Sequence, residues 1–179
     1  MKSQKELVLR EVREEDSETL FKWINNKKLV NFNSHYQPIS RKSHDQWFSN
    51  IQNREDFIIF SIVLLLNKSE ETLIGTTSLR NIDLINRKAE FQIRIGDCSE
   101  LNKGWGSKTI IEILKFAFLN LNLNRVYLDV FETNVRAKKA YEKCGFKLEG
   151  IKKKDAFIEG KYVNVFIMAI LKENFKTNI

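Results

Sequence analysis

Three positions in the stretch "NVRAKKAYEKCGF" carry the first hint of chemistry. Asn134, Ala137 and Tyr141 stand at i, i+3 and i+7, the spacing that sets side chains on one face of a helix. On such a face Asn134 can hydrogen-bond amide groups of a ligand, the small Ala137 leaves room beside it, and Tyr141 offers a hydroxyl one turn deeper. Each also has a plainer role: Asn134 as a cap, Ala137 as a good helix former, Tyr141 as a core aromatic. A second stretch, "LNKGWGSKTI" at 101 to 110, holds two of only seven glycines in 179 residues. A glycine-rich loop between a strand and a helix start points backbone N–H groups outward at the positive end of the helix dipole. No Cβ keeps a ligand away, and the place suits phosphates. Lys103 and Lys108 flank it. The spacing is neither G-x-x-x-x-G-K-[ST] nor G-x-G-x-x-G, and a structural turn is the alternative reading.

The elements that must position these groups form a mixed α/β pattern. "LVLREV" (7 to 12) reads as a strand. "DSETLFKWINN" reads as a helix with Asp16 as its cap and Leu20, Trp23 and Ile24 on one stripe. A second helix is expected from Arg41 to Gln52, capped by Ser40, with Trp47, Phe48 and Ile51 apolar. "DFIIFSIVLLL" and "TLIGTTSLR" read as a hairpin joined by the polar "NKSEE". "AEFQIRIG" alternates strictly, with Phe91, Ile93 and Ile95 on one face and Glu90, Gln92 and Arg94 on the other, as a half-buried strand does. After the glycines the period changes to about 3.6. Ile110, Ile113, Leu114, Ala117 and Leu121 then mark an amphipathic helix over 106–119. "RVYLDVF" (125 to 131) is another strand. The short helix that follows is capped by Thr133 or Asn134 and stopped by Gly145, and the remainder reads as two or three strands with a turn at Glu159-Gly160.

Composition bounds the function. A length of 179 residues, with no dividing linker, fits one domain over 1–179 with a real core. The N-terminal stretch has no apolar core of signal-peptide length, and no apolar run is long enough to span a bilayer, so a cytoplasmic protein with no membrane partner is expected. Cys98 and Cys144 have neither C-x-x-C spacing nor a nearby histidine. They predict two free, largely buried thiols and no metal site. His35 and His44 read as surface residues between the first helices. The net charge of +7 favours anionic partners. Without a zinc-finger spacing or an RNA-binding signature, nucleic acid is not the expected main partner.

Taken together and in order, "AEFQIRIG", "NKGWGS" with its helix, "RVYLDVF" and the run N134-x-x-A137-x-x-x-Y141-E-K-C-G145-F146 closely resemble the GNAT superfamily of acyl-CoA-dependent N-acyltransferases. The resemblance covers residues 5 to 171. It is most like the branch of ribosomal-protein N-terminal and spermidine acetyltransferases. One departure is Leu101, where the family's loop usually carries Gln or Arg.

The resemblance implies an α+β fold, a single GNAT-like domain with a mixed, mostly antiparallel sheet of about seven strands flanked by about four helices. It implies acetyl-CoA as co-substrate. Backbone amides of Asn102, Lys103, Gly104, Trp105, Gly106 and Ser107 would hold the pyrophosphate, and Ile93, Arg94 and Ile95 would pair with the pantetheine arm as an added strand. Asn134 and Ala137 would flank that arm. A primary amine would then attack the thioester directly in a ternary complex, with the oxyanion steadied by a backbone N–H. A leaving thiolate of pKa about 8.5 can take its proton from a phenol of pKa about 10, which makes Tyr141 the expected acid. Glu90 is the carboxylate candidate for the base, directly or through water.

The acceptor is read from the segment between the first helices. Residues 25 to 44 carry Lys27, Lys28, Arg41 and Lys42 but no Asp or Glu, which disfavours a polyamine. A protein N-terminus or a nucleotide-linked amino sugar is expected instead, with Phe32, Tyr36 and Trp47 at the entry. Pairing of exposed strand edges would give a homodimer. The alternative from a different class is a non-enzymatic basic module that binds acyl-CoA or nucleic acid.

Overall fold

The computed structural model describes residues 5–67 and 70–176. Seven strands form one sheet in the order β1-β2-β3-β4-β5-β7-β6. They are β1 (Lys5–Glu11), β2 (Phe57–Leu66), β3 (Glu70–Asp83), β4 (Lys88–Ile95), β5 (Arg125–Phe131), β6 (Lys147–Ile158) and β7 (Lys161–Leu171). All neighbours are antiparallel except β4 and β5, which run parallel. A parallel step needs a long crossover. Here the crossover carries the glycine loop and α4 (Trp105–Lys115). The other helices are α1 (Ser17–Ile24), α2 (Lys27–Val30), α3 (Arg41–Asn50) and α5 (Val135–Lys143).

The period-2 pattern of β4 divides two layers. Phe91 shares the main core with Ile110, Ile113 and Leu114 of α4, with Tyr141 of α5 and with Cys144 just past its end. Each such large apolar side chain stabilises the fold by roughly 1.5–3 kcal/mol when fully buried. On the opposite face Leu20 of α1 and Phe48 of α3 pack with Val12 and Ile59. Thus α4 and α5 cover one face of the sheet, and α1 and α3 the other.

Several expectations are corrected. The helix after the glycines begins one residue earlier, at Trp105, and its α-helical part ends at Lys115. A π-helical turn over Phe116–Asn120 continues it, so the apolar stripe keeps going while the hydrogen bonding widens. The short α2 was missed, because four residues are too few to show a period. Asp16 stands at the N-cap position of α1, as expected, but its side chain makes no cap hydrogen bond. It is buried, accepts from Arg10 and Ser61, and belongs to a 3-10 turn that precedes the helix. His44 is buried among Phe21, Trp47 and Phe48, with its Nε2 3.0 Å from the Ser17 carbonyl oxygen. Trp47, expected on the apolar side, is 42% exposed. Cys144 is buried as expected but Cys98 is exposed. In the β2–β3 turn, Lys68 and Ser69 of "NKSEE" lie outside the described residues.

The final hairpin turns at Glu159 and Gly160 with φ of 49° and 81°, two left-handed residues as a tight hairpin requires. β6 ends the sheet as an edge strand with Leu148, Ile151 and Phe157 exposed. No helix among the described residues is long and apolar enough to cross a membrane.

Candidate active site

The parallel step opens the sheet. β4 and β5 pair only at Lys88–Arg125, Ala89–Val126 and Glu90–Tyr127. Beyond Glu90, β4 continues to Ile95 with β3 as its partner, and β5 continues to Phe131 with β7. The facing edges diverge, so backbone groups of β4 beyond Glu90 face a gap instead of a strand. The Ile93 carbonyl accepts from Asn33 Nδ2 at 3.3 Å. An extended ligand with amide groups can add to this edge as a strand does.

At the far end of the gap the chain enters the glycine loop. Asn102 and Gly104 are both left-handed, with φ of 63° and 85°, and Gly104 is the residue from which α4 springs. A Cβ built at Gly104 or Gly106 would meet nothing within 4 Å. Gly106 has no positive φ and lies in the first turn of α4, where glycine costs about 0.5–1 kcal/mol relative to alanine. Neither packing nor backbone geometry asks for it. The cleared space lies over the free N–H groups of the helix start, which fits the pyrophosphate of CoA.

The loop is anchored from beneath by Glu100, a carboxylate 6% exposed. Its Oε2 accepts from Trp105 Nε1 at 2.8 Å, and its Oε1 accepts from Lys5 Nζ at 2.8 Å and lies 3.2 Å from Lys103 Nζ. The Lys5 ammonium first, then Trp105 and Lys103, hold the Glu100 carboxyl down to about 2 against the opposing effect of burial. Both lysines that flank the glycines are therefore engaged inside the loop: Lys103 with Glu100, and Lys108 with its Nζ 4.7 Å from the Trp105 ring centroid.

A cleft of about 230 Å³ joins loop, β4 and α5. It brings together Ile93, Arg94 and Ile95 from β4, Asn102, Gly104, Trp105, Gly106 and Ser107 from the loop, and Asn134, Ala137 and Tyr141 from the last helix. Lys103 and Glu90 do not line it. Sequence reasoning missed Leu29 and Arg136, which do, while Phe32, expected at the acceptor entry, lines this cleft as well. Arg136 stacks with its guanidinium 5.2 Å from the Phe32 ring centroid, a contact across a hundred residues that no local pattern announces.

Asn134 has two jobs at once. Its side-chain oxygen accepts from Ala137 N at 3.2 Å and caps α5, while its Nδ2 donates to the Phe32 carbonyl at 3.0 Å and to Asn33 Oδ1 at 3.3 Å. Its donors are thus committed to the turn after α2, and the oxygen's remaining lone pair is what it can offer a ligand.

Tyr141 stands where this cleft meets a second one of about 230 Å³, which also contains Glu90, Asp129 and Asp155. Its ring meets Phe91 edge-on, and burial raises its pKa above the usual phenol range. Its hydroxyl has no hydrogen-bond partner among the described residues. Glu90 accepts from Arg80 Nη2 at 2.5 Å through Oε1 and from Asn81 Nδ2 at 2.9 Å through Oε2. Asp129 accepts from Lys152 Nζ at 2.6 Å. No group of three or more His, Cys, Asp or Glu stands ready for a metal among the described residues.

A splayed parallel pair, a cleared helix start and a buried phenol between two clefts define an acyl-CoA-dependent acyltransferase. The sequence profile of the acetyltransferase (GNAT) domain matches residues 6–147. The chain belongs to the GNAT acetyltransferase family and is by class an acetyl-CoA-dependent N-acetyltransferase. It is 37% identical over 111 residues to the spermidine N(1)-acetyltransferase of Vibrio cholerae, a stretch that covers 62% of this chain and 64% of that protein. Its match to the Escherichia coli (strain K12) spermidine N(1)-acetyltransferase is 34% over 101 residues, 56% of this chain and 54% of that one. Both alignments span less than two thirds of the relative. Among solved structures, that of the Vibrio cholerae spermidine N-acetyltransferase in complex with CoA and spermine superposes with a TM-score of 0.82. Its identity is 30%, over 94% of this chain and 96% of that one.

These findings bear on the acceptor expectation. Residues 25 to 44 carry no carboxylate, but β4, β5 and β6 bring three to the second cleft. The two spermidine acetyltransferases are named for a polyamine acceptor, whereas a Bacillus subtilis relative, 30% identical over 105 residues that cover 59% of this chain and 57% of that one, is named "Putative ribosomal N-acetyltransferase".

Proposed function

We propose that this protein transfers an acetyl group from acetyl-CoA to a primary amine of a polyamine. The observation that carries the reading is the gathering of Glu90, Asp129 and Asp155 around the second cleft, on the far side of Tyr141 from the glycine loop. Glu90 and Asp129 are paired with Arg80 and Lys152, so a polyamine would bind by exchanging its ammonium groups for those cations, with Asp155 beside them, and would meet the acyl donor at the phenol. The kinship with spermidine acetyltransferases supports the same acceptor class.

The residues divide the work. The N–H groups at the start of α4 and the open edge of β4 would hold the diphosphate and the pantetheine arm. Bound acetyl-CoA supplies a thioester carbonyl open to direct attack, with a thiolate as leaving group. Tyr141 keeps its proton at neutral pH because burial favours the neutral phenol, and it donates that proton to the departing sulfur. Glu90 takes the proton lost by the amine through a water, since both its oxygens already accept from Arg80 and Asn81. Most of the acceleration comes from holding the two reactants together.

The test is release of free CoA on mixing with acetyl-CoA and an acceptor. Spermidine and spermine should be turned over with kcat/KM at least about 100-fold above an N-terminal peptide, a difference of roughly 2.7 kcal/mol in transition-state binding. Absence of polyamine turnover, with another amine accepted, would overturn the acceptor assignment.

A further inference from the structure

A larger cavity, about 750 Å³, lies between the sheet and the helices α1 and α3, apart from the glycine loop. Its floor is a cross-strand patch in which Thr76 pairs with Arg94, Ser78 with Gln92 and Arg80 with Glu90. Its walls are largely aromatic: Trp23, His44, Trp47 and Phe57. The Trp23 ring closes on Gly96, where a Cβ would come within 2.1 Å of it. No larger residue fits there.

Two guanidinium Nε groups on this floor lack partners. The Nε groups of Arg80 and Arg94 are shut off from solvent and make no hydrogen bond. Arg80 at least pairs through Nη2 with Glu90. Arg94 makes no ion pair or side-chain hydrogen bond at all among the described residues, and burial alone pulls its pKa down. Of the other charges on the cavity, Arg54 is neutralised by Asp56, and Glu90 by Arg80. The floor therefore carries one guanidinium in excess. A buried cation without a counter-charge costs stability, and such a cost persists where a ligand repays it. The same charge repels a polyamine, and Arg94 is the residue at which this cavity meets the cleft assigned to acetyl-CoA.

We propose that this cavity is a binding site for a small organic oxyanion, a carboxylate carried on an aromatic or apolar body, held at its charged end by Arg94 with Arg80 beside it. A guanidinium fork takes a carboxylate through paired N–H donors. The aromatic walls take the body. A polyamine carries no carboxylate, so the ligand is a separate effector, bound next to the acceptor because the cavity shares Arg80, Glu90 and Gln92 with the cleft beside Tyr141.

The test is isothermal titration calorimetry of the whole chain with phenylacetate, phenylacetamide and inorganic phosphate, free and saturated with CoA. Phenylacetate should bind at one site with an affinity that CoA leaves within about twofold, and the neutral amide at least about tenfold more weakly. Arg94→Gln should weaken phenylacetate at least about tenfold, while Arg94→Met should raise the unfolding temperature of the ligand-free protein by a few degrees. The melt also reports that the variants fold. Displacement of phenylacetate by CoA, equal affinity in wild type and Arg94→Gln, or no binding of phenylacetate up to about 10 mM would each overturn the proposal. Preference for phosphate over phenylacetate would overturn the carboxylate assignment. Initial rates with spermidine then test the effector role: saturating phenylacetate should change kcat or KM, and rates that it leaves unchanged would overturn that role. The calorimetry needs no turnover, so its failure is distinct from failure of the acetyl-transfer reading.

Discussion

Trp105, the first residue of α4, donates its indole N–H to the buried Glu100 carboxylate at 2.8 Å. The link ties the start of the helix to the turn that precedes the glycine loop, so the helix N-terminus cannot drift from β1, where Lys5 holds the same carboxylate.

That link predicts a pH dependence. The Glu100 carboxyl falls from an ordinary 4.5 to about 2 on folding. A depressed folded value means stability that is present above pH 4.5 and is lost as the pH falls toward about 2. Glu100→Gln should therefore unfold at a lower temperature than wild type at pH 7, with the gap closing as the pH drops to about 2. Melts followed by circular dichroism check this, and a gap that does not change with pH would refute it.

Gly106→Ala separates folding from binding. The added methyl enters open space in the protein and improves the helix, so stability should rise by up to about 1 kcal/mol. The same methyl projects into the space assigned to the cofactor. Affinity for acetyl-CoA should fall at least about tenfold, or roughly 1.4 kcal/mol. An unchanged affinity would show the glycine to be only a turn residue.

Tyr141→Phe removes the proton donor and nothing else of the ring's packing. The kcat should fall by about 10²-fold or more, while CoA binding stays within about twofold. Because burial raises the phenol's pKa, its ionisation should not limit the wild-type rate below about pH 10. A mutant as fast as wild type would remove Tyr141 from the mechanism.

Asn134→Ala should cost about 1–2 kcal/mol, from the lost α5 cap and from donors no longer given to Phe32 and Asn33. Urea denaturation measures the loss. A cost near zero would mean the cap and the tie are both replaced by water.

Much of this could be read from the chain itself because it is local. The alternation of Phe91, Ile93 and Ile95 and the repeat of Ile110, Ile113 and Leu114 each record one buried face, and both faces meet in the core. Gly145, expected as a helix stop, adopts φ of 98° at the end of α5. What escaped is non-local. His44 is buried because α1 comes to lie against α3, and Arg136 enters the cleft because α2 brings Phe32 to it. The acidic lip is assembled from three strands far apart in sequence, so a search for carboxylates in one segment passed over it.

The three residue pairs between β4 and β5 have a mechanical meaning. They are the whole seam between a four-strand plate and a three-strand plate, and a cofactor laid along the open part of that seam acts as mortar between them. A cofactor held there would stiffen the sheet, and slowed amide exchange on both banks of the seam is the expected signature of the loaded enzyme.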